Sequence, residues 1–233
     1  MWSRWEILTG IGLSRGDERE TVMKQVRGDQ PEATVGATKH LRGGPRTAEM
    51  IREAAADLFY LHGYEATSLR QVASQVGIQV GSLYNHISGK DELLSAIMIQ
   101  VMVDLQAALE ESIADVADPV DRLVAAVGCH IRFHAERRRD VFIGNSELRS
   151  LDAEAHKKVV SLRKKYEETL RELVVAAADS AEGDVIDVKL QVFAIVAIGT
   201  HVASWYKPGR GYPLDDIVDT YTQIILRQLA LES

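Results

Sequence analysis

The chain is poor in cysteine, proline and aromatic residues, and short of positive charge. Cys129 is the only cysteine in 233 residues, which excludes a disulfide framework and a cysteine-based zinc site; its apolar surroundings suggest a buried structural thiol. No glycine-rich phosphate loop, His-Glu-x-x-His helix or cysteine-nucleophile context is found, so the sequence offers no basis for an enzyme, a bound metal or a cofactor. The longest apolar run, near 192–204, falls short of the roughly 20 residues that a membrane helix needs, and it contains His201. At the N-terminus Trp2, Arg4, Trp5 and Glu6 precede a brief apolar patch without a signal-peptide core or cleavage site. A cytoplasmic protein with no membrane partner is therefore expected. The net charge of −7 does not exclude nucleic acid, because phosphates respond to charge within about a Debye length, ~8–10 Å. Arg42, Arg46, Arg70 and Lys90 gather around one short segment, while the acids concentrate elsewhere, as at Glu110-Glu111 and Asp215-Asp216.

What is present is helical periodicity, and its most informative stretch is 67–90. Thr67 or Ser68 caps a helix over Leu69–Val76, Gly77 ends it, and a second helix follows from about Val80 to His86. Leu69, Val72, Ala73 and Val76 form one apolar stripe, continued by Ile78, Leu83 and Ile87. The outward set, Gln79, Ser82, Tyr84, Asn85 and His86, is polar with almost no charge, which suits a helix that meets base edges and phosphates in a major groove. A surface helical pair without a partner is the plain alternative. Upstream, Thr47 is expected to cap a helix to about His62, with Ile51, Ala54, Ala55, Leu58 and Phe59 inward. Downstream, Ser88 precedes a helix opening with Asp91 and Glu92, acids favoured beside the positive end of the dipole. Lys90 gains nothing from that dipole and is read as a phosphate contact.

Taken with Ala54 and Phe59, three segments resemble the DNA-binding domain of the TetR family of transcriptional regulators: Gly63-Tyr64-Glu65-Ala66-Thr67-Ser68, Gly81-Ser82-Leu83-Tyr84-Asn85-His86 and Lys90-Asp91-Glu92-Leu93-Leu94. The resemblance covers about 46–96 without a gap; Ile87 stands where the family usually has phenylalanine, and Gly89 where a bulkier residue is common. It implies a homodimer, each subunit offering one reading helix to half of a palindromic double-stranded operator. Gln79, Val80, Ser82 and Asn85 are then expected at base edges, and Thr67, Tyr84, His86 and Lys90 at phosphates. Arg46 and Ser68 complete the candidate DNA-contacting set.

The expected fold is all-α: a three-helix helix-turn-helix domain over 46–92, then a larger helical effector-binding and dimerisation domain over 93–233. Residues 1–45, rich in Gly, Asp, Glu, Arg and Thr, read as a flexible extension or as an arm in which Lys39, His40, Arg42 and Arg46 follow phosphates. Beyond Leu93, helices are expected over about Asp91–Val116, Val120–Arg137, Asp140–Leu148, Asp152–Ser180, Val185–Tyr206 and Leu214–Leu231. The stretch from Leu190 to Ala203 is apolar on several sides, which fits a dimer interface with the last helix or an intramolecular core.

Candidate effector-binding residues are the polar groups of these apolar helices: His130, His134, Asn145, Glu147, Arg149, His201, Trp205 and Tyr206. His130 and His134 share a helix face, able to bind a metal or an acid, or simply to satisfy each other in a core. Trp205 and Tyr206 serve equally as an aromatic anchor at a helix end. The runs Asn145-Ser146-Glu147-Leu148-Arg149-Ser150-Leu151 and Ser204-Trp205-Tyr206-Lys207-Pro208-Gly209 resemble the effector domain of TetR-type repressors of lipid or sterol degradation. That resemblance implies a small-molecule effector, an acyl-CoA thioester, that releases the repressor, with Arg149, Lys207 and Arg210 near its phosphates. A helical small-molecule-binding or adaptor protein without DNA binding is the rival reading.

Overall fold

The computed structural model describes residues 44–231, and the expectations for 1–43, including the arm of Lys39, His40 and Arg42, lie outside the described residues. The described chain is helical, its one β-type pairing being an isolated bridge between Lys207 and Arg210. It divides into two compact units between Leu93 and Leu94.

In the first unit, α1 spans Pro45–His62, α2 Leu69–Val76 and α3 Val80–Leu83. α1 starts earlier than its sequence suggests: Gly44 is the N-cap and Pro45 the first residue, whose missing N–H leaves no donor orphaned. Thr47, expected as the cap, is instead buried inside the first turn. Ile51, Ala54, Ala55, Leu58 and Phe59 give the helix its buried face, which packs on α2. Ser68 and Gln71 form a capping box at α2, worth about 1 kcal/mol, and Gly77 closes that helix at φ 77°. α3 is shorter than expected: Tyr84–His86 continue only as a tight turn in which Asn85 N–H donates to Ser82 O and His86 N–H to Leu83 O. Gly81 weakens helix propensity there, and the three-residue bonds mark a 3₁₀-like finish.

α4, Lys90–Ile113, runs unbroken across the division. The second unit continues with α5 (Pro119–Glu136), α6 (Arg138–Ser146), a 3₁₀ turn at Leu148–Ser150, α7 (Ala153–Ser180), α8 (Val188–Trp205) and α9 (Leu214–Gln228). Three of these starts are fixed by aspartates. Asp118, Asp152 and Asp187 each accept two backbone N–H bonds at 2.8–3.0 Å, so α8 begins at Val188, not near Val185. α5 is the hub and packs against α7, α8 and α9. Its Leu123, Ala126, Val127 and Ile131 meet a core that includes Leu170, Val174, Val192, Ile195, Val218 and Ile225.

By length and composition alone α4 and α8 are apolar enough to cross a bilayer, which the longest uninterrupted run does not reveal. α8 packs on α5, α6 and α7 and buries Val192, Ile195, Val196, Gly199, Val202 and Ala203.

Candidate nucleic-acid interface and buried polar cluster

Four of the expected DNA-contacting side chains stand clear from the N-cap of α3 to the turn after it: Gln79, Ser82, Asn85 and Tyr84, the last 55% exposed. Val80 and His86 are half-buried; Arg46 is exposed in the first turn of α1. Leu83 and Ile87 point inward and fix the orientation of this face. Gly81 and Gly89 have open space where a Cβ would project, so a surface could approach the backbone there.

Two expected phosphate contacts have other partners. Thr67 is 3% exposed, and its hydroxyl donates to Leu58 O at 3.2 Å and Gly63 O at 2.9 Å, tying the end of α1 to the following turn. Burial and this bonding correct the expectation that its side chain reaches a phosphate. Lys90 Nζ donates to Tyr64 O at 2.9 Å and lies 4.2 Å from the centre of the Tyr64 ring. Tyr64 OH in turn donates to the Asp91 carboxylate. One tyrosine thus fastens the loop before α2 to the first turn of α4. Ser68 is exposed but engaged with Gln71, its hydroxyl donating to Oε1 at 2.8 Å. Ser88 donates through N–H and hydroxyl to Glu92 at 2.6 Å, and these bonds hold that carboxyl below its usual range.

In the second unit, His130 and His134 are buried with ring centres 4.1 Å apart. Val196 O lies 3.3 Å from His130 Nε2, and Tyr166 OH lies 2.8 Å from Nδ1. A carbonyl only accepts, so His130 carries its proton on Nε2 and accepts the tyrosine hydroxyl at Nδ1. By the same logic His134 donates from Nδ1 to His130 O, at 2.8 Å. Desolvation drives the His130 pKa well below 6.5 and brings His134 to about 4, so both rings are neutral near pH 7.

Gly199 makes this arrangement possible. A Cβ at that position would fall 2.1 Å from His130 Cδ2.

Arg163 and Tyr166 belong to this cluster although neither is among the residues expected at a site. Arg163 is 5% exposed, donates to Gly144 O at 2.9 Å, and its pKa is lowered to about 10 by desolvation. Burial pushes the Tyr166 hydroxyl well above 10. A signal existed: Val159, Arg163, Tyr166 and Leu170 recur at helical spacing, which places a charge on the buried stripe.

The other effector candidates do not join this cluster. Asn145 and Glu147 are half-buried at the end of α6, Glu147 accepting the Ser150 hydroxyl at 3.0 Å; Arg149 is exposed. His201 and Trp205 lie on the exposed side of α8, and Tyr206 follows it half-buried. Leu190 on the same helix is 63% exposed and Ile224 on α9 is 40% exposed, so large apolar side chains of both helices remain uncovered within one chain. Cys129 is half-buried, and desolvation raises its thiol pKa.

Residues 51–97 match the family model described as bacterial regulatory proteins, tetR family, and 116–229 match the tetracyclin repressor-like C-terminal domain. The TetR family regulator PfmR of Thermus thermophilus is 30% identical, with a TM-score of 0.70 over 77% of this chain and 98% of its own. The chain belongs to the TetR family. TetR family members are transcriptional regulators rather than enzymes. The transcriptional repressor KstR2 of Rhodococcus jostii is 28% identical over 81% of this chain and 93% of its own length. A structure of AibR in complex with isovaleryl coenzyme A and operator DNA is 27% identical, with a TM-score of 0.70 over 76% of this chain and 97% of its own.

Proposed function

We propose that this TetR family regulator is a cytoplasmic homodimeric repressor that binds a palindromic operator and is released by a coenzyme A thioester. The observation that carries the DNA reading is the exposed, nearly uncharged polar face of Gln79, Ser82, Tyr84 and Asn85, held by a capped α2 and the αL turn at Gly77. Residues 46–92 form the reading domain and 93–233 the effector and dimerisation domain. The uncovered side chains of Leu190, Trp205 and Ile224 support pairing of α8 and α9 with a second copy. The thioester reading is supported by AibR, which is similar over most of its length and whose structure holds isovaleryl coenzyme A with operator DNA.

Linkage sets the mechanism. An effector shifts the dimer only by its unequal affinity for two conformations. Thioester binding in the second unit would move α4, which enters the first unit without a break. Half-sites lie about 34–36 Å apart, so a change of a few ångströms between reading helices prevents both from docking.

Selection from random duplexes should return a palindrome, and acyl-CoA thioesters should release it in gel shifts. Failure of every thioester would remove the effector reading but leave the regulator. Within the interface, Tyr84→Phe should weaken binding evenly across sequences, as expected for a phosphate contact. Gln79→Ala should instead change base preference at one operator position, by about 1–3 kcal/mol. A switch of preference in Tyr84→Phe would reverse the two roles.

A further inference from the structure

Asp91 is an exposed acid in the unit that meets DNA, and its charge by itself repels phosphates. The start of α4 is already served by its neighbour Glu92, which accepts the Ser88 N–H and hydroxyl, both at 2.6 Å. Asp91 is bound from outside the helix instead. It accepts the hydroxyl of Tyr64, a buried residue whose ring packs edge-on against Phe59 at 5.1 Å.

Tyr64 also shapes the turn that opens α2. Its carbonyl accepts the Thr67 N–H at 3.2 Å and the Lys90 ammonium at 2.9 Å. Thr67 leads directly into Ser68, the N-cap of α2, and α2 packs on α3. Apolar packing is non-directional, whereas a hydrogen bond weakens steeply away from its preferred angle. The Tyr64–Asp91 bond therefore fixes one arrangement of this turn, and with it of α2, against the first turn of α4.

We propose that Asp91 is a positioning residue for operator recognition, which acts through Tyr64 and strengthens DNA binding although its charge opposes it. This role rests on the operator reading above and goes beyond it, because charge alone assigns Asp91 the opposite sign.

Operator titrations of the full-length protein test it, followed by fluorescence anisotropy over a range of salt concentrations with the selected duplex. Asp91→Ala should weaken binding about tenfold, the loss of one hydrogen bond to a charged group, where electrostatics alone predicts tightening. Asp91→Asn keeps an acceptor for the tyrosine and removes the repelling charge, so it should bind at least as tightly as the parent. Tyr64→Phe leaves every charge and the first turn of α4 in place, and should lose the same factor as Asp91→Ala. The double variant should lie within about twofold of either single one, since both remove the same bond. The salt slope of Tyr64→Phe should equal the parent's, because no phosphate contact is lost.

Melting curves establish that each variant is folded at the titration temperature. Should Asp91→Ala not fold, the contrast between Tyr64→Phe and Asp91→Asn decides alone. Parent-like or tighter binding by Asp91→Ala, or parent-like binding by Tyr64→Phe, overturns the role of Asp91 and leaves the DNA reading intact. The same follows from additive losses in the double variant, from a lowered salt slope in Tyr64→Phe, or from an Asp91→Asn as weak as Asp91→Ala. If the parent selects no duplex, the DNA reading falls and this role falls with it.

Discussion

Gly199→Ala should destabilise the protein by about 3 kcal/mol, lowering its melting temperature by roughly 6–12 °C. In an ordinary helix interior the same change stabilises by about 1 kcal/mol, so the expected sign is the reverse of the propensity rule. The reason lies opposite, where the new methyl would sit 2.1 Å from Cδ2 and 2.5 Å from Nε2 of His130. The imidazole cannot slide away without losing both Tyr166 and Val196 as partners. A control lies in the same unit: a Cβ at Gly128 meets only Val218 Cγ1, at 3.3 Å. Gly128→Ala should therefore stay within about 1 kcal/mol of the parent. Equal melting temperatures for Gly199→Ala and the parent would mean that the His130 ring is not held as described.

Acid should weaken the protein well before its carboxylates protonate. His130 and His134 are neutral in the folded state, with folded pKa values below the ordinary 6.5 and His134 at about 4. In the unfolded chain both take up protons near 6.5. Between about pH 6.5 and 4 the unfolded state therefore binds more protons, and stability falls as pH falls. The contribution of His134 is fully present above pH 6.5 and amounts to about 3 kcal/mol by its folded pKa. His130 adds to it with the same sign. Urea unfolding at half-unit steps from pH 7.5 to 5 measures the slope, in a window where ordinary carboxylates stay ionised. His134→Gln should flatten it, by up to about 1.4 kcal/mol per pH unit. An unchanged slope in that variant would show that His134 takes a proton while folded.

The legibility of this chain differs between its local and its tertiary features. Helix ends set by neighbouring chemistry could be read directly: Gly77 stops α2, Asp118 and Asp152 start α5 and α7, and Pro208-Gly209 make the turn after α8. The start of α1 was harder, because a glycine cap followed by proline carries no side-chain signal and Thr47 looked like the cap. The exposed face after α3 followed from alternation around Leu83, but the partners of Thr67 and Lys90 did not. Thr67 bonds to Leu58 and Gly63, and Lys90 folds back onto Tyr64, 26 residues earlier. Arg163 was hidden for a related reason. It is followed by Lys164 and Lys165 in a helix that reads as solvated, and only its spacing with Val159, Tyr166 and Leu170 sets it on the buried side. His130 and His134 fell on one helix face as spacing required, yet the tautomer of His130 depends on Val196 and Tyr166, which are distant in sequence.

The contacts of Tyr64 bear on how this regulator can be re-engineered. Its hydroxyl reaches Asp91, and its carbonyl and ring receive Lys90, so the reading unit includes the opening turn of α4. A chimera that gives this operator specificity to another effector domain should therefore be joined beyond Asp91, within the helix. A junction at Ile87 would leave the loop from Gly63 to Thr67 without its anchor and would transplant the base-reading residues on a slack mounting.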